Sequence, residues 1–201
     1  MNVAIVIIAA YLMGSIPFAL LLSRRHGIDL RDVGSGNVGA TNLLRTIGVR
    51  VAVVAMLLDA AKGTAAVLIA QRLASGITVP VAAALASMLG HVYPIWLRFR
   101  GGKGVATAAG AFGVLTPLGL GGAATVFLLV VWVTRFVSVG SMIGAVTLAG
   151  IALASDAPII VGGGAAVAAI FIIYGHRANL ARLTKGTERR VGQRVVGEPV
   201  D

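Results

Sequence analysis

Long apolar runs alternate with short polar loops along almost the whole chain. The runs cover residues 3–22, 51–70, 79–97, 105–115, 118–134, 137–154 and 158–174. An α-helix needs roughly 20 apolar residues to cross a bilayer, and most of these runs approach that length. The pattern therefore predicts an all-α polytopic membrane protein with seven transmembrane helices.

The interval between residues 105 and 136 decides the number of spans. A single helix over it would be about 48 Å long, whereas the hydrocarbon core of a bilayer is about 30 Å thick. Thr116 and Pro117, followed by Gly119, supply a turn near its middle. We therefore predict two short helices here, over residues 105–115 and 118–134.

Composition agrees with a membrane protein. Hydrophobic residues make up 58% of the chain, charged residues 12%, and the mean hydropathy is +0.95. No ordinary soluble domain has this composition. The absence of cysteine excludes disulfides and thiolate metal sites, and the three histidines have no metal-ligand spacing, so we expect neither metal nor cofactor.

The net charge of +10 would suggest nucleic acid as a partner for a soluble chain, but its distribution indicates something else. If the N-terminus lies outside, fifteen of the seventeen lysines and arginines fall on one side of the membrane, and only Arg72 falls on the other. Lys62 lies within the second span. The positive-inside rule then makes the basic side cytoplasmic, so we predict a cytoplasmic C-terminus and no nucleic-acid partner.

This topology places four polar segments on the cytoplasmic face, where they can converge. The segments are residues 34–42, 98–107, 135–141 and 174–179. Residues 1–180 are predicted to form one transmembrane domain. Residues 181–201 are predicted to form a basic cytoplasmic C-terminal tail, partly helical and then loose.

The loop GSGNVGATN, residues 34–42, has the composition of an anion site. Its glycines allow several backbone N–H groups to point to one side, and the residues after it read as a helix start capped by Thr41 or Asn42. Amides and helix dipole together favour bound anions. A flexible turn between two helices is the alternative for such a loop considered alone.

A second loop of the same character, RFRGGKGVAT, covers residues 98–107. It offers three cations and several glycines but lacks the spacing of a nucleotide-binding P-loop. Arg98 and Arg100 have an alternative role as ordinary membrane anchors, whereas Lys103 lies between Gly102 and Gly104 and is the better candidate for a ligand contact.

Several further polar residues lie at the ends of spans or within them. Asp59 and Lys62 stand one helical turn apart in the second span, and we favour a structural role in which they neutralise each other. His91 is either a site residue or a packing residue. His176 with Asn179, and Ser138 with Ser141, each have a spacing that presents both residues on one helical face.

Five segments, in this order and spacing, resemble the bacterial membrane acyltransferases that transfer an acyl chain from acyl phosphate to glycerol 3-phosphate. They are GSGNVGATN, LLDAAKG, GHVYPIWLRFRGGKGVAT, RFVSVGSM and HRANLARL. The resemblance covers nearly the whole chain; the tail GQRVVGEPVD after Arg190 has no counterpart in the pattern. It implies seven membrane helices, a location in the bacterial inner membrane and an active site on the cytoplasmic face.

The resemblance also implies the reaction and its substrates. The family forms 1-acyl-glycerol 3-phosphate and inorganic phosphate, the first step of phospholipid synthesis, and uses acyl phosphate instead of acyl-CoA or acyl carrier protein. Because acyl phosphate is already activated, the protein mainly positions the acceptor and stabilises developing charge. The lack of a serine nucleophile signature or an H-x-x-x-x-D sequence is compatible with this chemistry.

These considerations give a set of candidate site residues. We expect the donor phosphate on the first loop, with the acceptor held by charge and hydrogen bonds nearby. The catalytic candidates are Lys103, His176 and Asn179, and the substrate-binding candidates are Ser35, Gly36, Asn37, Gly39, Ala40, Thr41, Asn42, Arg45, His91, Gly102, Gly104 and Ser141. The proton of the attacking hydroxyl goes either to His176 or to the leaving phosphate.

The competing hypothesis is a transporter or flippase for a phosphorylated solute. The membrane fold, the cationic face and the Asp59–Lys62 pair are compatible with it. Many transporters have inverted repeats and spans broken near the bilayer midplane, and we expect neither here. The lipid bilayer and the two substrates are the predicted partners; the sequence leaves the oligomeric state open, with a monomer as the expectation.

Overall fold

The computed structural model describes residues 2–193, and this part of the chain contains helices but no β-strand. The all-α prediction is confirmed. The α-helices are α1 Val3–Gly14, α2 Phe18–Arg24, α3 Ala40–Thr46, α4 Val49–Leu73, α5 Thr78–Val92, α6 Val105–Leu115, α7 Pro117–Thr134, α8 Val137–Ala154, α9 Ile159–Gly175 and α10 Arg177–Thr184, with a 3-10 turn at Ile95–Leu97 after α5.

Within the described residues, five helical segments are long and apolar enough to cross a membrane. They are Val3–Arg24, Val49–Leu73, Thr78–Leu97, Pro117–Thr134 and Val137–Ala154. The pair α9 and α10, bent by 53°, adds a sixth. Each of the seven predicted apolar runs corresponds to a helical segment, and α6, with 11 residues, is the one too short to span a bilayer alone.

The first apolar run is two helices instead of one. Pro17 has no N–H to donate and disfavours a helical conformation in the residue before it, so α1 ends at Gly14 and α2 begins at Phe18. The carbonyl oxygen of Ile16, released from helical pairing by this break, accepts a hydrogen bond from Nζ of Lys62 at 2.7 Å. The apolar pattern alone did not predict this break within the first span.

Large side chains face outward and small ones fill the interior. Most of the buried apolar residues are alanines, whereas Trp132 is 81% exposed and Leu118 is 70% exposed on α7. Without a hydrophobic driving force between helices in lipid, close packing through small residues holds a bundle together. The outward apolar surface is the surface that such a bundle presents to lipid.

Glycines bring α4 and α6 into backbone contact. A Cβ atom on Gly63 would lie 2.2 Å from the carbonyl oxygen of Thr107, and one on Gly110 would lie 2.0 Å from that of Ala60. Thr64 Oγ1 donates to the carbonyl oxygen of Gly110 at 2.9 Å across the same contact. This packing holds α6 closely against α4.

The predicted corner between α6 and α7 is confirmed. Pro117 is the first residue of α7, where its missing N–H costs no helical hydrogen bond. The side chain of Thr116 caps the helix by accepting from the N–H of Gly119 at 3.3 Å. Two helices therefore replace the single long one that residues 105–134 would otherwise form.

Candidate active site

The first glycine-rich loop, residues 34–42, is shaped by Asn42. Its Oδ1 accepts from the N–H of Ser35 at 3.0 Å, and its Nδ2 donates to the carbonyl oxygens of Leu30 and Val33, each at 3.1 Å. Gly34 has a φ of +64°, and a Cβ there would lie 2.2 Å from Asn42 Oδ1. The Asn42 amide is thus committed to holding the loop, at 2% exposure.

The helix after this loop starts earlier than predicted. α3 begins at Ala40 with Gly39 as N-cap, and no side chain caps it. The predicted cap at Thr41 or Asn42 is wrong, because Asn42 bonds back to the loop and Thr41 already lies inside the first turn. The amides at the start of α3 consequently have no side-chain cap competing for them.

The second loop turns back along the end of α5. The N–H of Gly101 donates to the carbonyl oxygen of Val92 at 3.0 Å, and the N–H of Gly102 donates to the backbone carbonyl oxygen of His91 at 3.1 Å. Arg98 and Arg100, before the turn, are exposed, as membrane anchors would be. Lys103, after the turn, points into the bundle.

The two loops meet, and the predicted residues gather around one cavity of about 810 Å³. Nδ2 of Asn37 lies 3.5 Å from the carbonyl oxygen of Gly101 and joins the loops. The cavity is lined by Ser35, Asn37, Gly39, Ala40, Thr41, Asn42, Arg45, His91, Gly102, Lys103, Gly104, Ser141, His176 and Asn179. Gly36 is the one candidate that does not line it, although its φ of +69° helps to shape the loop.

A chain of hydrogen bonds crosses the polar end of the cavity. Nζ of Lys103 donates to Oδ1 of Asn179 at 2.5 Å, and Nδ2 of Asn179 donates to Oε1 of Glu188 at 2.7 Å. Ser138 Oγ donates to the same carboxylate oxygen at 3.0 Å, and Arg182 Nε lies 2.7 Å from the other. Asn179 therefore links the cation of Lys103 to the buried carboxylate.

Burial lowers the pKa of Lys103 to about 8, although the negative charge of Glu188 opposes the shift. The charges of Arg182 and Arg45 lower it further. Burial acts against ionisation of Glu188 too, but the hydrogen bonds that its carboxylate receives outweigh it and hold its pKa below the ordinary value. The site thus holds a net positive charge near neutral pH.

His176 caps the end of α9 at the edge of the cavity. Its Nδ1 lies 2.7 Å from the carbonyl oxygen of Ile172. Because a carbonyl only accepts, Nδ1 carries the proton and Nε2 is left with a free lone pair in the neutral ring. Burial, assisted by the charge of Lys103, lowers the pKa of His176 to about 4, so the ring is neutral at pH 7.

Ser141 and Arg45 complete the polar wall. Ser141 Oγ donates to the carbonyl oxygen of Val137 at 2.8 Å, which leaves its lone pairs to accept. Nη2 of Arg45 donates to the carbonyl oxygen of Arg189 at 3.0 Å and ties the segment after α10 over the cavity. The guanidinium group of Arg45 lines the cavity beside this bond.

Below the polar wall, the cavity is apolar. Met56 and Leu57 of α4, both exposed at the lipid-facing surface, line its side. Leu120 and Phe127 of α7 and Leu148 of α8 also line it. The cavity therefore joins a cationic head to an apolar groove that reaches the protein surface, a shape suited to a ligand with one phosphate and one long chain.

Sequence reasoning missed Glu188, its partner Ser138 as a site contact, and Arg182. Glu188 was counted as part of the basic tail, yet its side chain is 2% exposed and centres the hydrogen bonds described above. The signal available in the sequence was the presence of one acidic residue, Glu188, in a stretch of basic residues. Residues 194–201 of the predicted tail lie outside the described part of the chain.

Comparisons with known proteins identify the family of the chain. The sequence model of the family described as glycerol-3-phosphate acyltransferase matches residues 4–186. A glycerol-3-phosphate acyltransferase of Geobacter sulfurreducens is 44% identical over 94% of this chain and 98% of its own. One of Thermus thermophilus is 44% identical over 94% of this chain and 95% of its own.

Two solved structures indicate the same family. The crystal structure of PlsY, an integral membrane glycerol 3-phosphate acyltransferase, in its glycerol 3-phosphate form has a TM-score of 0.90 and 40% identity, covering 94% of this chain and 96% of that one. The lysophosphatidic acid form gives 0.88 and 38%, over 95% and 96%. The chain therefore belongs to the glycerol-3-phosphate acyltransferase family and is an integral membrane acyltransferase.

Proposed function

We propose that the protein transfers the acyl group of an acyl phosphate to glycerol 3-phosphate in phospholipid synthesis. The terminal hydroxyl of the glycerol attacks the acyl carbonyl carbon, a new ester bond forms, and the bond from this carbon to the phosphate oxygen breaks. The products are 1-acyl-glycerol 3-phosphate and inorganic phosphate. The observation that carries the proposal is the joining of two glycine-rich loops, two inward cations and an apolar groove in one cavity.

The donor phosphate binds on the first loop and at the start of α3. Backbone amides near Gly39 and Thr41 have no side-chain cap, and the helix dipole adds to their attraction for an anion. Ser35 and Thr41 line the cavity and add hydroxyl contacts. Asn42 supports the phosphate site indirectly, because its hydrogen bonds hold the loop in shape.

The acceptor binds between Lys103, Arg45, Ser141 and Asn179. Lys103 and Arg45 supply charge for its phosphate, and Lys103 is held in place by Asn179. Ser141 Oγ, which donates to its own helix, accepts from a glycerol hydroxyl. This arrangement neutralises two phosphates in one site and orients one hydroxyl toward the activated carbonyl.

His176 orients the attacking hydroxyl instead of removing its proton fully. Its Nε2 is a hydrogen-bond acceptor, but a pKa of about 4 makes it a weak base. The phosphate that departs gains negative charge as the bond breaks, and it takes the proton. No covalent enzyme intermediate is needed, because the donor is already activated.

The acyl chain lies in the apolar groove between α4, α7 and α8. Its side is open at Met56 and Leu57, so a chain dissolved in the bilayer enters laterally without passing through water. The head groups then meet at the depth of the glycine-rich loops.

We also propose seven spans, an outside N-terminus and a cytoplasmic site in the bacterial inner membrane. Residues 101 and 102 return along the end of α5, so α6 starts within the bundle and not at its edge. The 11 residues of α6, about 16 Å, then have to cover only the rest of the membrane thickness, which supports α6 as a span. The distribution of basic residues supports the orientation. We assign residues 1–180 to the transmembrane domain and residues 181–201 to the basic tail, so the boundary falls within α10.

The test uses purified protein in detergent with palmitoyl phosphate and glycerol 3-phosphate. Release of inorganic phosphate and appearance of lysophosphatidate in equal amounts, dependent on glycerol 3-phosphate, are expected. Palmitoyl-CoA in place of palmitoyl phosphate should give no product. Product from palmitoyl-CoA alone would overturn the proposed donor, and no chemistry with either donor in folded protein would favour the transporter.

A further inference from the structure

A buried polar cluster lies beside the cavity and takes no part in the hydrogen-bond chain that starts at Lys103. It consists of Asp59 and Lys62 on α4 and His91 near the end of α5. The side chains are 3%, 2% and 9% exposed, respectively. Ionisable groups buried in a membrane bundle are costly and mark a functional or strongly structural role.

Lys62 is a junction between three elements. Its Nζ lies 2.7 Å from Asp59 Oδ1 and 3.0 Å from His91 Nδ1. The same ammonium group donates to the carbonyl oxygen of Ile16 at 2.7 Å. It therefore connects α4 and α5 with the break between α1 and α2, which mutual neutralisation with Asp59 alone would not require.

His91 transmits this arrangement to the second glycine-rich loop. Nδ1 faces Lys62 and also lies 3.4 Å from Asp59 Oδ1, while the other side of the ring faces Gly102. A Cβ atom on Gly102 would lie 2.1 Å from His91 Nε2, and the next two nearest atoms also belong to that ring. The loop residue before Lys103 thus rests directly on the imidazole.

We propose that Asp59, Lys62 and His91 act as positioning residues that set the depth of Lys103 in the site through the contact between His91 and Gly102. This inference rests on the proposed role of Lys103 in binding glycerol 3-phosphate. The network fixes the imidazole, the imidazole supports Gly102, and Gly102 places the lysine that follows it. His91 therefore acts on Lys103 through the loop.

The first test separates this role from simple charge neutralisation. Lys62→Met leaves Asp59 buried without its lysine partner and removes the support of His91, so the KM for glycerol 3-phosphate should rise about tenfold, while the KM for palmitoyl phosphate changes by less than about twofold. Adding Asp59→Asn removes the unpaired charge. Under the proposal the double variant remains impaired in glycerol 3-phosphate binding; full recovery would overturn it.

The second test is a double-mutant cycle between Gly102 and His91. Gly102→Ala should lower kcat/KM for glycerol 3-phosphate about tenfold in the unchanged chain, because the added methyl group displaces the ring or the loop. His91→Ala removes that ring. In the His91→Ala background, Gly102→Ala should therefore cause less than about a twofold further loss. Equal losses in both backgrounds would overturn the contact as the means of positioning.

Thr64→Val is the matched control. It removes a partly buried hydroxyl group two residues from Lys62 and one hydrogen bond between α4 and α6, but Thr64 contacts neither His91 nor Gly102. Its KM for glycerol 3-phosphate should stay within about twofold of the unchanged chain. A rise equal to that of Lys62→Met would show general loss of packing and overturn the proposal.

Failure of this inference differs from failure of the proposed function. If the unchanged chain forms no lysophosphatidate from palmitoyl phosphate, the proposed function fails. If it does and Lys103→Ala raises the KM for glycerol 3-phosphate, but the network variants do not, the positioning role alone fails. Elution as a single species in detergent and an unchanged Tm for His91→Ala exclude unfolding as the cause of its effects.

Discussion

Lys103 and Asn179 form a hydrogen bond of 2.5 Å between residues separated by 76 positions in the sequence. This bond joins the second glycine-rich loop to α10 and holds the ammonium group over the cavity. It also explains why Asn179 belongs to the site although its own amide is shared between Lys103 and Glu188.

The pKa of Lys103 gives the first prediction. Only the charged lysine attracts phosphate, and its pKa in the free protein is about 8. Hence kcat/KM for glycerol 3-phosphate should fall about tenfold per pH unit above pH 8, as the ammonium group loses its proton. Lys103→Arg, which stays charged, should abolish this fall in the same buffers. If kcat/KM of Lys103→Arg falls above pH 8 in the same way, the fall is caused by another titrating group.

His176 gives the second prediction. Because its pKa is about 4, the ring is already neutral across the physiological range. The ratio of kcat/KM between the unchanged chain and His176→Gln should therefore stay constant from about pH 5.5 to 7.5, since substrate ionisation cancels in the ratio. An unperturbed histidine would change the ratio about tenfold over this range. Such a change would make His176 a titrating base.

Asn42 provides the third prediction. Asn42→Ala leaves the Ser35 N–H and the carbonyl oxygens of Leu30 and Val33 without their partner. The free energy that holds the loop in this conformation should fall by about 1–3 kcal/mol. The KM for acyl phosphate should rise, and the KM for glycerol 3-phosphate should change less. Asn42→Asp should not rescue binding, because a carboxylate cannot donate to the two carbonyls. Rescue by aspartate would mean that the two hydrogen bonds donated to Leu30 and Val33 are not needed, and would contradict this prediction.

Glu188 gives the fourth prediction. Glu188→Ala removes the acceptor of Ser138 and Asn179, both buried, and should destabilise the protein by about 2–4 kcal/mol. Glu188→Gln keeps an acceptor oxygen and loses mainly the ion pair to Arg182, whose side chain is 37% exposed, so its cost should be about 1 kcal/mol. Thermal unfolding in detergent should rank the Tm values accordingly. An equal decrease for both variants would mean that the charge, not the acceptor, matters.

The helices were predictable because each lipid-facing segment is apolar over most of its length. Hydropathy located α6 and α8 to the residue, and Thr116–Pro117 located the corner between α6 and α7. The break at Pro17 was visible as a proline within an apolar run. The hydrogen bond that this break allows could not be predicted, because the partner of the Ile16 carbonyl oxygen is Lys62, 46 residues away.

The site was predictable as a set of loops but not as a set of roles. Hydrogen-bond partners decide the roles, and they come from distant segments. Asn42 is committed to Leu30 and Val33, His91 to Lys62, and Glu188 to residues of two helices, α8 and α10. Sequence spacing alone cannot tell a side chain that contacts a ligand from one that supports its neighbour.

The last prediction concerns topology. If α6 is a separate span, the two ends of the chain lie on opposite sides of the membrane; if α6 and α7 cross together as one span, they lie on the same side. Cysteines are absent from the chain, so single cysteines can be introduced at exposed positions Asn2, Asp156 and Lys185 without background.

A membrane-impermeant thiol reagent added to intact cells should label Asn2→Cys and Asp156→Cys and spare Lys185→Cys, which should react only after the membrane is opened. Fifteen of the seventeen basic residues would then be cytoplasmic, in agreement with the positive-inside rule. Labelling of Lys185→Cys in intact cells would place α10 and the phosphate-binding end of the cavity outside. The cavity would then be closed to an acyl phosphate supplied from the cytosol, and the proposed donor would fail with it.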